Sequence, residues 1–454
     1  MGAFSGRLVR RLNSLPVRPG RPIVYWMQRS LRGWNNPALN TAIELANEQR
    51  TGLWVLFVIN GRYPEANSRH FTFLLEGLAD AQAALRERSI PLVVRVGEFA
   101  DEVHLGAQEA GALVCDEHPE LVGRALREAV GLRTACAALA VEGDAVIPPA
   151  VLADHAHIGA RTIRPAVHRL LPEFLQWASE PELRGPAVHP PLQSVEFAAA
   201  GFLDQLGVPA LPDVSRFFRG GQTEARRRLA RFIGRHLAGY ADAHHRADLD
   251  VSSDLSPWLH FGNIGPVEVA LAARQAGPGP GVDAFLEQVI VRRELAINVA
   301  RFLPDYGTPA MVPAWAQKTL DEHASPWGEL VSPAQMEACE TPDPAWNAAM
   351  KDMKIRGTMH NYMRMYWGKQ VLLWSGSWRE AFGTLLRLNN RYFLDGRDPN
   401  GTTGVAWVFG LHDRPFGRRP VFGAVRSMTP GGLTRKFDVA AYIRKVETVT
   451  SGVC

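Results

Sequence analysis

Between residues 22 and 118 the chain alternates short apolar, β-rich runs with segments of helical period, and few folds accommodate that alternation. The runs are 22–27 (PIVYWM), 53–59 (LWVLFVI), 92–96 and 112–118 (ALVCDEH), with helical patterns around 38–47 and 71–88. Parallel strands need crossovers, and helices between such runs supply them. The spacing therefore predicts an α/β domain, a Rossmann-like parallel sheet with helices, over 21–150. Ligands in such sheets sit beyond the carboxyl ends of the strands. The loop 28–39 (QRSLRGWNNPAL) follows the first strand and is placed to line such a site. No G-x-G-x-x-G follows that strand, so a dinucleotide fingerprint is absent.

The remaining segments read differently. Residues 1–20 carry Arg7, Arg10, Arg11 and Arg18 without an acid, which predicts a flexible arm, with an organelle address as the other reading. Residues 151–219 are Pro-rich and irregular and are expected to link two domains. After Gly220-Gly221, apolar residues at Leu229, Phe232, Ile233, Leu237 and Tyr240 have helical spacing, and no long strand signal follows. Residues 220–454 are expected to be an all-α domain. At 46% hydrophobic and 21% charged, a 454-residue chain can bury more than one core. Cys115, Cys136, Cys339 and Cys454 form no CxxC pair, which argues against a zinc site or a disulfide framework and for a reducing compartment. His244, His245 and His260 lack a partner set of carboxylates or thiols, so no metal is expected. No apolar run reaches the length of a membrane span, and no membrane partner is expected.

The chemistry concentrates in the second half. Trp367 and Trp374 stand seven residues apart, a spacing that returns to nearly the same helix face, and Trp346 precedes them. Oxidisable indoles at short range can pass an electron; a buried aromatic stripe is the plainer reading. Asn389, Asn390, Asp395, Arg397, Asp398, Asn400 and Trp407 then crowd around an Asp-Pro-Asn-Gly turn. So many polar groups beside apolar helices are costly unless a ligand satisfies them. Ser252, Ser253, Asp254, Leu255 and Ser256 precede Pro257 and a short helix, a start that offers hydroxyls and amides to an anion. In FLEQVIVRRELAINVARF, the charged Glu287, Arg292, Arg293 and Glu294 are either mutually paired or line a pocket. Arg414, Arg418, Arg419, Arg426, Arg435 and Lys436 form a run without an acid, interleaved with Phe416, Phe422 and Met428. Such a run suits phosphate contact with apolar wedges beside it; a solvated charged face is the alternative.

The ordered set IVRREL, PAWAQKTLDEH, MRMYW, LDGRDPNG, TGVAW and HDRP resembles class II cyclobutane pyrimidine dimer photolyases, of the photolyase/cryptochrome family. The likeness extends over nearly all of the chain after residue 21. It implies a carbon–carbon lyase using FAD, active as the reduced anion, to split dimers in double-stranded DNA under blue light. It places Tyr240, Ser252, Ser253, Leu255 and Ser256 at FAD, the serines on its pyrophosphate. Arg364 and Asp395 would pair beside the isoalloxazine, with Asn389 near N5. Glu287 is the match to the family's substrate glutamate, with Glu294 as second choice. Met365 and Trp407 would lie against the flipped-out dimer, Asp413 would anchor an arginine, and Arg426 would fill the gap left in the duplex. Trp346, Trp367 and Trp374 would carry electrons from the surface to oxidised flavin. The indole found one turn after the glutamate in some relatives is replaced here, where Val291 and Arg292 stand. In the family the first domain holds an antenna, commonly a deazaflavin; the RSLRG part of the loop departs from the family pattern, which leaves the antenna open. The resemblance further implies a monomer, cytoplasmic in a prokaryote and nuclear or organellar in a eukaryote. A cryptochrome-like photoreceptor is the alternative; the chain's stop soon after KFDVAAYIRKV argues against the long extension such proteins often carry.

Overall fold

The computed structural model describes residues 7–323 and 330–451. Strands β1 (Val9–Arg11), β2 (Ile23–Met27), β3 (Leu53–Ile59), β4 (Leu92–Val96), β5 (Ala112–Asp116) and β6 (Ala137–Val141) form one six-stranded sheet in the order β1-β6-β5-β2-β3-β4. Pairings from β6 through β4 are parallel, with Tyr25 aligned to Val55 on one side and Val114 on the other. Both faces of β2 and β3 are covered, which is why these strands read as continuous apolar runs. Ile23, Tyr25 and Met27 pack with Leu39 and Ile43 of helix Pro37–Gln49 and with Leu78 and Leu85 of helix Ser68–Glu87. Val24 and Trp26 point the other way, to Val103 of helix Phe99–Ala107 and Val130 of helix Leu121–Arg133. The expected α/β domain and the helical second half are both present.

Three expectations need correction. Residues 7–20 are no arm: β1 pairs antiparallel with β6, Arg10 Nη2 donates to Glu117 Oε1 at 3.1 Å, and Leu12 enters the core. The remaining arm residues, 1–6, lie outside the described residues, as does Cys454. Nor is 151–219 only a linker. Helix Ala160–Phe174 buries Ile163, Val167 and Phe174 against Ile290, Val291 and Leu295 of the helical domain. The chain beyond it straps the sheet's outer edge, where Val195 N donates to Val94 O at 2.9 Å. Finally, β6 extends the sheet where no strand was expected.

The second half is helical, around a core that includes Trp346, Met350, Met363, Tyr366, Leu385 and Phe409. No described helix is long and apolar enough to cross a membrane. The two halves meet at the loop after β2. Arg32, buried there, donates through Nη1 to Gly262 O at 2.8 Å and through Nη2 to Gly143 O at 3.1 Å. Gly262 has φ +68, and a Cβ on it would lie 1.7 Å from Arg29 O. Only glycine fits that left-handed turn against backbone. From the helical side, buried Glu294 accepts from Val146 N (2.7 Å) and Ile147 N (3.2 Å), leaving Oε2 without a hydrogen-bond partner among the described residues. Burial raises its carboxyl to about 8.

Gly262→Ala should lower stability by about 3 kcal/mol or more, measured by denaturant unfolding, because neither strain nor overlap can relax without parting the two halves. Glu294 makes the opposite kind of prediction. Its folded-state pKa lies above its unfolded value, so the folded chain binds more protons between about 4.5 and about 8. The stability it contributes is full below that window and lost as pH rises through it. Glu294→Gln keeps the acceptor oxygen and removes the titration. Its stability relative to wild type should rise from pH 5 to pH 8 by on the order of 1–3 kcal/mol.

Candidate functional site

A cavity of about 330 Å³ opens in the helical half. Tyr240, Ser252, Ser253, Leu255 and Ser256 line it, as do Arg364, Met365, Trp367, Asn389, Asp395 and Trp407. The serine segment is held from behind by Arg228, which donates to Ser253 O at 3.1 Å and pairs with Asp254. Asp254 itself adopts φ +50. Tyr240 packs edge-on to Phe232 and Phe285, with ring centroids 5.6 and 5.5 Å away, and burial pushes its phenol up to about 12.

Arg364 and Asp395 form a salt bridge in the wall. Arg364 Nη2 donates to both Asp395 oxygens, at 3.0 and 2.9 Å, and Nε to Met359 O at 3.2 Å. The guanidinium carbon lies 3.9 Å from the centroid of Phe393. Asn389 is buried, with Nδ2 donating to Asn390 Oδ1 at 3.0 Å. A Cβ on Gly401 would reach within 3.0 Å of that Nδ2, while one on Gly404, also in the wall, would touch nothing. The buried Trp367 Nε1 has no hydrogen-bond partner among the described residues.

Helix Asn361–Trp374 brings Trp367 to the cavity and Trp374 away from it. Trp346, from helix Pro344–Arg356, inserts between them. Its ring stacks on Trp367 at 6.2 Å and 16°, meets Trp374 edge-on at 5.4 Å, and its Nε1 donates to Trp367 O at 3.0 Å. The order in space is therefore 367, 346, 374, with the last the least buried of the three. The i, i+7 pair is completed only by an indole from another helix.

Glu287 and Arg426 are not in the cavity wall. Residues Glu287–Arg292 form a π-helical turn, in which Gln288 and Arg292, not Glu287, face the cavity. Glu287 instead accepts from Arg164 (2.7 Å) and Arg292 (3.2 Å), and Glu294 is the interdomain anchor already described. An α-helical reading of the sequence could not anticipate that altered register. Arg426 lies just behind the wall, its guanidinium carbon 5.8 Å from the Trp407 centroid and its Nε 3.5 Å from Asp413 Oδ2. Asp413 accepts a hydrogen bond from Trp407 Nε1 at 3.0 Å through its other oxygen, so one carboxylate stands between the indole and the guanidinium. Beyond them Arg414, Phe416, Arg418 and Arg419 are exposed.

Asp398, also in the wall, was seen in sequence only as part of a turn. Buried in the structure, it caps helix Pro399–Val408 by accepting from Asn400 N at 2.9 Å and receives His260 Nδ1 at 3.2 Å. Arg293 Nη1 stands 3.9 Å away, and Arg293 and Arg29 both pair with Asp144. Burial acts to raise the Asp398 carboxyl, but the His260 hydrogen bond and the two guanidiniums outweigh it and hold it well below the usual range. His260 is pulled down by burial despite that carboxylate.

His260 and Arg397 also face a second cavity, of about 310 Å³, beyond the carboxyl ends of the strands. Trp26, Gln28, Arg29, Tyr63, Phe99 and His118 line its first-domain side. The loop expected to border a site at the strand ends does border a cavity there. The QRSLRG loop divides its work, Gln28 and Arg29 facing the cavity and Arg32 the domain joint.

Comparison with known proteins bears on both halves. A family model described as DNA photolyase matches residues 23–187. A deoxyribodipyrimidine photo-lyase of Methanothermobacter thermautotrophicus is 38% identical over 442 residues, covering 96% of this chain and 97% of that protein. Among solved structures, a class III photolyase from Agrobacterium tumefaciens superposes with a TM-score of 0.73 at 20% identity, covering 96% of this chain and 88% of that one. An archaeal photolyase from Sulfolobus tokodaii, solved with two FAD molecules, gives 0.68 at 18% identity, covering 93% and 89%. With the first relative matched along almost its whole length, the chain belongs to the DNA photolyase family.

Proposed function

We propose that this chain is a light-driven photolyase of the class II kind, which holds FAD in the first cavity and splits cyclobutane pyrimidine dimers in double-stranded DNA. One observation carries the reading: the serine segment, the Arg364–Asp395 pair and Asn389 share a cavity whose wall includes Trp367, the inner member of a stacked indole series. The donor set fits a dinucleotide flavin. Hydroxyls and backbone amides of residues 252–256 suit its pyrophosphate, the Arg364 guanidinium suits an anionic ring, and the Asp395 carboxylate suits a ring N–H. Asn389 offers an amide, and the wall is open at Gly404. When bound and reduced, FAD supplies on illumination the electron that opens the cyclobutane ring, and regains it afterwards.

The protein's own residues do the rest. Met365 and Trp407 give the cavity polarisable, apolar surface for the two pyrimidines. Arg414, Arg418 and Arg419 offer exposed charge to DNA phosphates, and Arg426 fills the place of a lesion that the weakened duplex releases cheaply. Through Trp374, Trp346 and Trp367, in that order, electrons reach oxidised flavin from the protein surface. The second cavity, with Trp26, Tyr63 and Phe99 in its wall, takes a planar antenna chromophore, for which a deazaflavin is the candidate. The protein acts as a monomer and is cytoplasmic in a prokaryote.

Trp367→Phe and Trp346→Phe should each slow photoreduction of oxidised flavin by at least about tenfold, because each breaks the series at an inner step. Repair by chemically reduced enzyme should survive both changes. Flash photolysis and a dimer-repair assay on the two variants check this; equal loss of both activities would contradict the relay. Asp395→Asn should leave Arg364 without its counter-charge and weaken FAD retention by about tenfold, read by flavin absorbance on titrating the apoprotein with FAD.

A further inference from the structure

Arg292 has no role in the account above, yet it stands in the cavity wall beside Trp407. Its guanidinium carbon is 5.6 Å from the Trp407 centroid, and its side chain is 35% exposed at the rim. Among the described residues its hydrogen bond runs from Nε to Glu287 Oε1, at 3.2 Å, leaving the two terminal nitrogens open. Glu287 is held in turn by Arg164, which donates through Nη2 to Oε1 (2.7 Å) and through Nε to Oε2 (3.2 Å). Burial acts to raise the Glu287 carboxyl, but the two guanidiniums outweigh it and keep it low. The π-helical turn makes this arrangement possible. Residues five apart on an α-helix diverge by about 140°, whereas π-helical i, i+5 bonding brings 287 and 292 onto one face.

We propose that Arg292 grips a backbone phosphate of the strand drawn into the lesion cavity, and that Glu287 is the positioning residue that aims it. The inference rests on reading the first cavity as the lesion site. The cluster of two guanidiniums and one carboxylate carries a net positive charge at the rim. The other guanidinium beside Trp407, on Arg426, already faces Asp413, whereas the terminal nitrogens of Arg292 make no hydrogen bond among the described residues. A planar fork with free donors, held over an indole and pinned at Nε, is pre-ordered for phosphate oxygens. A dimer entering the cavity must carry the phosphates on either side of it to the rim.

The test measures binding of the full-length, FAD-loaded protein to a fluorescent oligonucleotide with one thymine dimer, and to its undamaged counterpart, over a range of salt. Flavin absorbance reports on folding. Arg292→Gln should weaken dimer binding about 5- to 20-fold at low salt and lower the slope of log K against log salt by about one, leaving undamaged DNA unaffected. Arg292→Lys should keep the slope while losing part of the affinity. Glu287→Gln separates charge from positioning. Removing a negative charge alone would tighten binding, so weakening supports the aiming role and tightening overturns it. An unchanged slope in Arg292→Gln overturns the phosphate contact. Failure of the wild type to prefer the dimer would instead sink the lesion-site reading itself, a distinguishable result.

Discussion

The structure depends on a buried cluster of charge at the junction of its halves. Asp144, just after β6, pairs with Arg29 from the loop after β2 and with Arg293 from the helical domain, and Arg293 and His260 reach Asp398. Desolvating such groups costs several kcal/mol each, and only the complete set repays it, so removing one partner leaves an uncompensated buried charge. The cluster therefore fixes geometry more surely than it adds stability. Asp398 caps the helix that carries Trp407, while His260 and Arg29 line the second cavity. One set of ion pairs thus sets where both cavities stand.

Much of this was legible in the sequence because the relevant signals are local. A continuous apolar run gave β3 its limits, since a strand covered on both faces needs no alternation. Of the residues expected at FAD, all line one cavity, because the motifs that carried them are short and contiguous. What escaped depends on distant partners. The three-residue β1, rich in arginine, is a strand only because β6 and Glu117 are there to receive it. β6 itself, AALAV, has Val141 as its one β-branched residue among alanines and is held by burial. The Pro-bearing helix Ala160–Phe174 forms because Ile163, Val167 and Phe174 find a surface in the second half. Glu287 was matched by resemblance to the family's substrate glutamate, and in the structure it opens a π-helical turn in which Gln288 and Arg292 line the cavity.

The indole series shows how packing turns composition into a path. Trp367 and Trp374 share a helix, yet each meets Trp346, whose ring bridges them and whose N–H fixes it to the Trp367 carbonyl. Electron transfer over van der Waals contact needs little motion, which suits a core where all three rings are buried. The same rigidity serves the Arg364–Asp395 pair, whose two hydrogen bonds and stacking on Phe393 hold a charge balance in place before any ligand arrives.

The most direct test of this account is repair of a defined thymine dimer in duplex DNA by the purified, reduced protein, in darkness and under near-UV to blue light, beside its absorption spectrum. The account predicts a flavin spectrum and loss of dimers only in the light. A flavin spectrum with no repair in either condition would contradict it and favour a photoreceptor, and a protein that binds no flavin would contradict the assignment of the first cavity.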